Sequence, residues 1–166
     1  RAVYFANVLG LDMGMFYKRR DYTKIINGRN PIVAHEFLGP DIEGKDIMII
    51  DDMISSGESM LDVATELKRR KANRIFVVCT FGLFTGGMDK FDEAYEQGII
   101  YRLLTTNLTY QTPDLLTKPY YINVDMSKYI ALIIDTLNHD KSISGLLNPV
   151  ERINSVLERY NQVKKK

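Results

Sequence analysis

The 166-residue chain, 45% hydrophobic and 26% charged, has the length and composition of one soluble globular domain with a sizeable core. A formal charge of +1 excludes any partner argued from net charge, so electrostatics has to be read locally. One cysteine excludes an internal disulfide, and no apolar run approaches about 18 residues and no signal peptide is present, so a cytoplasmic protein without a membrane partner is expected.

Residues 1–9 read as a helix, with Val3, Phe5, Ala6 and Leu9 at three- and four-residue spacing and no cap before it. A short strand is expected over 13–17, then a polar loop over 18–30 carrying Lys18, Arg19, Arg20, Lys24 and Arg29. Charge alone makes this loop a solvated surface. With only Tyr22 interleaved it lacks the aromatics of a nucleic-acid contact, so no nucleic-acid partner is expected. His35 opens a short strand and reads as a strand-edge residue. Its distance in sequence from His139 argues against zinc or a histidine-based nucleophile system.

The run Ile47, Met48, Ile49, Ile50 has the length and branching of a strand buried on both faces. Two carboxylates, Asp51 and Asp52, follow it, and then the small-residue turn Ser55, Ser56, Gly57, Glu58, Ser59. Met60, Leu61, Ala64 and Leu67 recur at helical spacing, so a helix starts near Ser59. It ends on Lys68, Arg69, Arg70 and Lys71, which complement its dipole.

Such a stretch is a physical device. Loop and first-turn amides lack intrahelical partners and point along the positive end of the dipole, which suits a phosphate. Carboxylates at the strand's end accept from sugar hydroxyls or hold Mg²⁺. Ligands of open parallel sheets sit at this end of the strands. Ser55 and Glu58 also have the spacing of a capping box, which reads the stretch as a well-made helix start. Alternatively Glu58 turns away from a bound phosphate, and both readings stay open.

Further along, residues 74–80 read as a buried strand containing Cys79, and 88–97 as a helix with Phe91 and Tyr95 inward and Gly98 as its stop. Strands are expected over 99–104 and 120–124, and a helix capped by Asp125 or Ser127 runs to Asn138. Residues 149–166 read as an extra helix with a basic end. Alternating strands and helices give an α/β fold with a mainly parallel sheet flanked by helices.

The stretch 50–59 resembles the phosphoribosyl-binding loop of type I phosphoribosyltransferases, and most of all that of the ribose-phosphate pyrophosphokinase (phosphoribosyl pyrophosphate synthetase) family. That family reads Val-Asp-Asp-Met-Ile-Asp-Thr-Gly-Gly-Thr here. Asp51, Asp52, Met53, Ile54 and Gly57 match it. Ser55 stands in place of an acid, Ser56 and Ser59 in place of threonines, and Glu58 in place of a glycine. Lys18 and Arg20 match the lysine and second arginine of the family's Lys-Arg-Arg run, and Tyr17 replaces the acid before it. Thr85, Gly86, Gly87, the strand end Thr105, Thr106, Asn107, and the ending Ser142 to Leu147 also resemble the family.

The resemblance implies a type I phosphoribosyltransferase-like domain over 1–148, truncated at its start, followed by the extra helix and tail over 149–166. It implies that the chain is the C-terminal half of a larger enzyme, with a missing N-terminal half as partner and a homo-oligomeric assembly. The implied reaction moves the diphosphoryl group of Mg-ATP to ribose 5-phosphate. In it Lys18 and Arg20 serve the transferring phosphoryl groups. Asp51 and Asp52 bind the ribose hydroxyls or Mg²⁺, and Ser55, Ser56, Gly57, Glu58 and Ser59 hold the 5-phosphate. A phosphoribosyltransferase that consumes phosphoribosyl pyrophosphate, and a non-catalytic regulatory relative, are the alternatives.

Overall fold

The structure, a computed structural model, describes residues 1–20 and 32–164. It forms two compact units, Arg1–Val124 and Asp125–Lys166. The first contains α1 (Ala2–Leu9), β1 (Met15–Arg20), β2 (Ile32–Leu38), β3 (Ile47–Ile54), α2 (Glu58–Arg69), β4 (Ile75–Gly82), α3 (Asp89–Glu96), β5 (Arg102–Thr106), α4 (Pro113–Thr117) and β6 (Tyr121–Val124). The second contains α5 (Ser127–Asn138), α6 (Ser144–Leu147) and α7 (Val150–Lys164).

β3, β4, β5 and β6 lie side by side in that order, all parallel, and β1 pairs with β2 as an antiparallel hairpin. The expected α/β fold with a mainly parallel sheet is present. Sequential parallel strands with crossovers of one hand place their helices on one face. Accordingly Met60, Ala64 and Leu67 of α2 and Phe91 and Ala94 of α3 share one core with Ile75, Val77 and Leu103 of the sheet. Alternate residues of β4 (Ile75, Val77, Cys79) are buried there, and the intervening ones are half-buried on the opposite face.

β3 departs from the expectation of burial on both faces. Among the described residues it is the edge of the sheet, hydrogen-bonded to β4 on one side, so Met48 is 55% exposed and Ile47, Ile49 and Ile50 are half-buried. A groove of about 580 Å³ runs along this edge, with Phe5, Ala6 and Leu9 of α1 on one wall.

Lys18, Arg19 and Arg20, expected in a loop, continue β1 opposite β2. Lys24, Arg29 and Tyr22, the rest of the expected basic loop, lie outside the described residues. In the second unit the Tyr129 hydroxyl donates to the Leu146 carbonyl at 2.7 Å, and Arg152 lies over the Tyr129 ring. Asp125 accepts from the Ser127 amide at 2.9 Å, but the N-cap of α5 is Met126, so neither expected residue occupies that position. Among the described residues no helix is long and apolar enough to cross a membrane.

Candidate functional site

β3 carries Asp51 and Asp52 to the carboxyl end of the sheet and runs on to Ile54 before the chain turns. Because both acids are still in the strand, their side chains leave on opposite faces. Asp51 stands in register with Cys79, and Cys79 with Thr105, on the face that packs α2 and α3. Asp52 points to the other face, at the level of Thr80. Both acids are exposed, and Asp51 Oδ1 accepts the Asp52 amide at 2.8 Å. The two carboxylates therefore face opposite sides of the sheet rather than forming a single clamp.

On the Asp51 side, burial pushes the Cys79 thiol up, and its single S–H has two carbonyls in reach, Phe81 at 3.1 Å and Asp52 at 3.4 Å. A buried thiol held protonated is a packing group. Next to it, Thr105 bonds the Tyr121 hydroxyl at 2.7 Å, and Gln111 Nε2 donates to the same hydroxyl at 2.6 Å and to Asn123 at 3.0 Å. On the Asp52 side, Arg1 Nη1 donates to Thr80 Oγ1 at 3.1 Å, and Thr106 Oγ1 donates to the Thr80 carbonyl at 2.6 Å. Arg1 thus brings a guanidinium to the carboxyl ends of the strands. The sequence offered only an apolar helix beginning beside it, which carries no such signal.

Past Ile54 the chain makes the expected small-residue turn. Gly57, at φ +86°, is the N-cap of α2, and Leu61 is the first amide to find a helical acceptor, the Gly57 carbonyl at 2.9 Å. Helix geometry gives the amides of the first turn before Leu61 no intrahelical acceptor. This corrects the capping-box reading. Ser55 lies two residues before the N-cap, its hydroxyl 3.4 Å from that of Thr85, and Glu58 is the first helical residue. Glu58 pairs with Lys90 of α3, Oε1 to Nζ 2.5 Å.

The loop is held from behind. The Thr85 amide donates to the Ser55 carbonyl at 3.0 Å, and the Leu83 amide to the Ile54 carbonyl at 2.9 Å. A Cβ at Gly57 would stand 2.3 Å from Cζ of the buried Phe91. Thr85 and Gly86 thus line the loop, a Cβ built at Gly86 standing in ordinary contact distance of Ser56.

Among the described residues no three or more His, Cys, Asp or Glu side chains gather into a metal cage. Mg²⁺ does not need one, since it keeps several waters and takes one or two carboxylates plus substrate oxygens. The exposed carboxylate of Asp51 or of Asp52, each on its own face of the strand, fits that demand. Lys18 and Arg20 are placed by backbone register, opposite His35 and Ile32.

A parallel sheet with a carboxylate pair and a glycine-capped helix start at its carboxyl end is of the phosphoribosyltransferase type. The chain superposes with a TM-score of 0.63 on a phosphoribosylpyrophosphate synthetase from Mycobacterium smegmatis, at 20% identity, over 82% of this chain and 40% of that one. The profile of the phosphoribosyl synthetase-associated domain matches residues 24–148, and the chain belongs to that family. Ribose-phosphate pyrophosphokinases are among its relatives. That of Shewanella oneidensis is 30% identical over 137 residues, 82% of this chain and 40% of the relative. That of Vibrio cholerae is 27% identical over 149 residues, 89% of this chain and 44% of the relative. The chain thus spans about two-fifths of the length of these relatives.

Proposed function

We propose that this chain carries the ribose 5-phosphate side of a ribose-phosphate pyrophosphokinase active site. One observation carries the reading: the acid pair of β3 runs directly into a glycine-capped loop whose amides open α2, within a chain of this family. A sugar phosphate presents hydroxyls and a dianion a few ångströms apart, and this stretch presents acceptors and donors in the same order. The reaction is attack of the sugar's anomeric oxygen on the β-phosphorus of ATP. A P–O bond forms there as the bond to the α-phosphate oxygen breaks, releasing AMP and phosphoribosyl pyrophosphate.

Asp51 and Asp52 would orient the ribose hydroxyls and hold Mg²⁺, which neutralises charge on the phosphates when bound. The amides and hydroxyls from Ser55 to Ser59 would hold the 5-phosphate. Lys18 and Arg20 would neutralise charge that grows on the moving phosphoryl group, where fixed cations contribute most. ATP contacts would come from a chain carrying the remaining half, in a homo-oligomer.

The test is turnover in a complete enzyme assembled with such a chain. Lys18→Ala is expected to lower kcat by about 10²–10³-fold while ribose 5-phosphate affinity stays the same, the signature of a transition-state contact. A weaker ribose 5-phosphate affinity with kcat unchanged would make Lys18 a substrate clamp and contradict the assignment.

A further inference from the structure

A glutamate at the first residue of α2 sits badly with a phosphate-binding loop, because its charge repels the dianion that the loop amides attract. In this structure Glu58 does not stand alone. Its carboxylate meets Lys90 Nζ at 2.5 Å, and that contact raises the Lys90 ammonium above its ordinary range. The two residues lie 32 positions apart and are held by elements that are locked together. Phe91, next to Lys90, fills the space where Gly57 lacks a side chain, and the Thr85 amide is bonded to Ser55 on the same loop.

We propose that Lys90 is a positioning residue of the phosphate loop: it neutralises Glu58 and draws the carboxylate toward α3, so that the loop can bind a sugar phosphate. This rests on the reading of the loop as the ribose 5-phosphate site. Residues 58 and 90 are then a matched pair whose charges set affinity jointly. Lys90 acts through Glu58 rather than through the ligand.

Both side chains are more than half exposed, so solvent screening keeps the effect modest. The experiment is a double-mutant cycle on the 166-residue chain, titrating ribose 5-phosphate and, separately, inorganic phosphate at low salt. Lys90→Met is expected to weaken ribose 5-phosphate binding by about three- to tenfold when Glu58 is present. In the Glu58→Gln background the same substitution is expected to change it by less than about twofold. Lys90→Arg is expected to keep the native affinity, and raising the salt concentration is expected to shrink the first difference.

Equal weakening by Lys90→Met in both backgrounds would overturn the inference, because Lys90 would then touch the phosphate itself. No weakening in either background, with the native chain still binding, would overturn it too. Failure of every chain, Glu58→Gln included, to bind either ligand would overturn the site reading, and the inference with it.

Discussion

Gly57 shows how tightly single residues are constrained around the loop. At φ +86° an L side chain is strained, and any Cβ there would press into the buried Phe91 ring, which itself packs edge-on against Phe84. Left-handed strain and overpacking together lead us to expect Gly57→Ala to lower unfolding stability by about 2–5 kcal/mol, read from denaturant melts. A loss below about 1 kcal/mol would mean that Phe91 moves aside at little cost. Glu58 shows the opposite freedom. Ser55 and Glu58 have the spacing of a capping box, yet the backbone turns at Gly57, so the helix starts too late for Ser55 to cap it. The carboxylate's actual partner, Lys90, is 32 residues away, and no local pattern in the sequence announces it.

Among the elements, α3 is tied to the chain entering β6 by a small polar knot. Tyr120 is buried, its ring stacked near Tyr95, and its hydroxyl donates to Asp92 Oδ1 at 2.7 Å. Lys118 Nζ meets Asp92 Oδ2 at 2.7 Å. Burial works against the Asp92 charge, but these two donors outweigh it and hold the carboxyl below its ordinary value of 3.8. A carboxylate with a depressed folded-state pKa stabilises above its unfolded value, and that stability is lost as pH falls through the folded one. Asp92→Asn is therefore expected to lower the denaturation midpoint at neutral pH, with the gap to the native chain closing below about pH 4. A gap independent of pH would remove the charge from this explanation.

The same elements show what sequence periodicity can and cannot carry. The buried strand expected over 74–80 is present, with Ile75, Val77 and Cys79 facing the core, and α2 and α3 lie close to where their apolar spacing put them. Ile47 to Ile50 reads as equally buried but forms the sheet edge. Edge position depends on which strands are present, not on the composition of any one of them. α4 is too short for an apolar period, and Thr112 and Pro113 mark its start; the Thr112 side chain accepts the Leu115 amide. In the site, the acid pair, the turn and Gly57 were legible because each is local. Arg1 on Thr80 and Lys90 on Glu58 were not, because only the folded sheet brings them together.

For the whole molecule, the chain covers about two-fifths of its full-length relatives, so synthesis of phosphoribosyl pyrophosphate and binding of its sugar substrate are separable questions. The stretch from Asp51 to Ser59 is contiguous and braced by the Thr85 and Leu83 amides, and on our reading it binds the sugar phosphate without the remainder. The chain by itself is expected to release no AMP from Mg-ATP and ribose 5-phosphate, and to support release once a chain with the other half is supplied. AMP release by the purified chain alone, proportional to its concentration and abolished by Lys18→Ala, would contradict that expectation. The most direct test of the central claim is an equilibrium titration of the 166-residue chain with ribose 5-phosphate, compared with the Asp52→Asn and Gly57→Ala variants. Saturable one-to-one binding with a Kd of about 0.1–1 mM, weakened in both variants, is the expected result. No saturable binding up to about 10 mM, or binding indifferent to both substitutions, would contradict it.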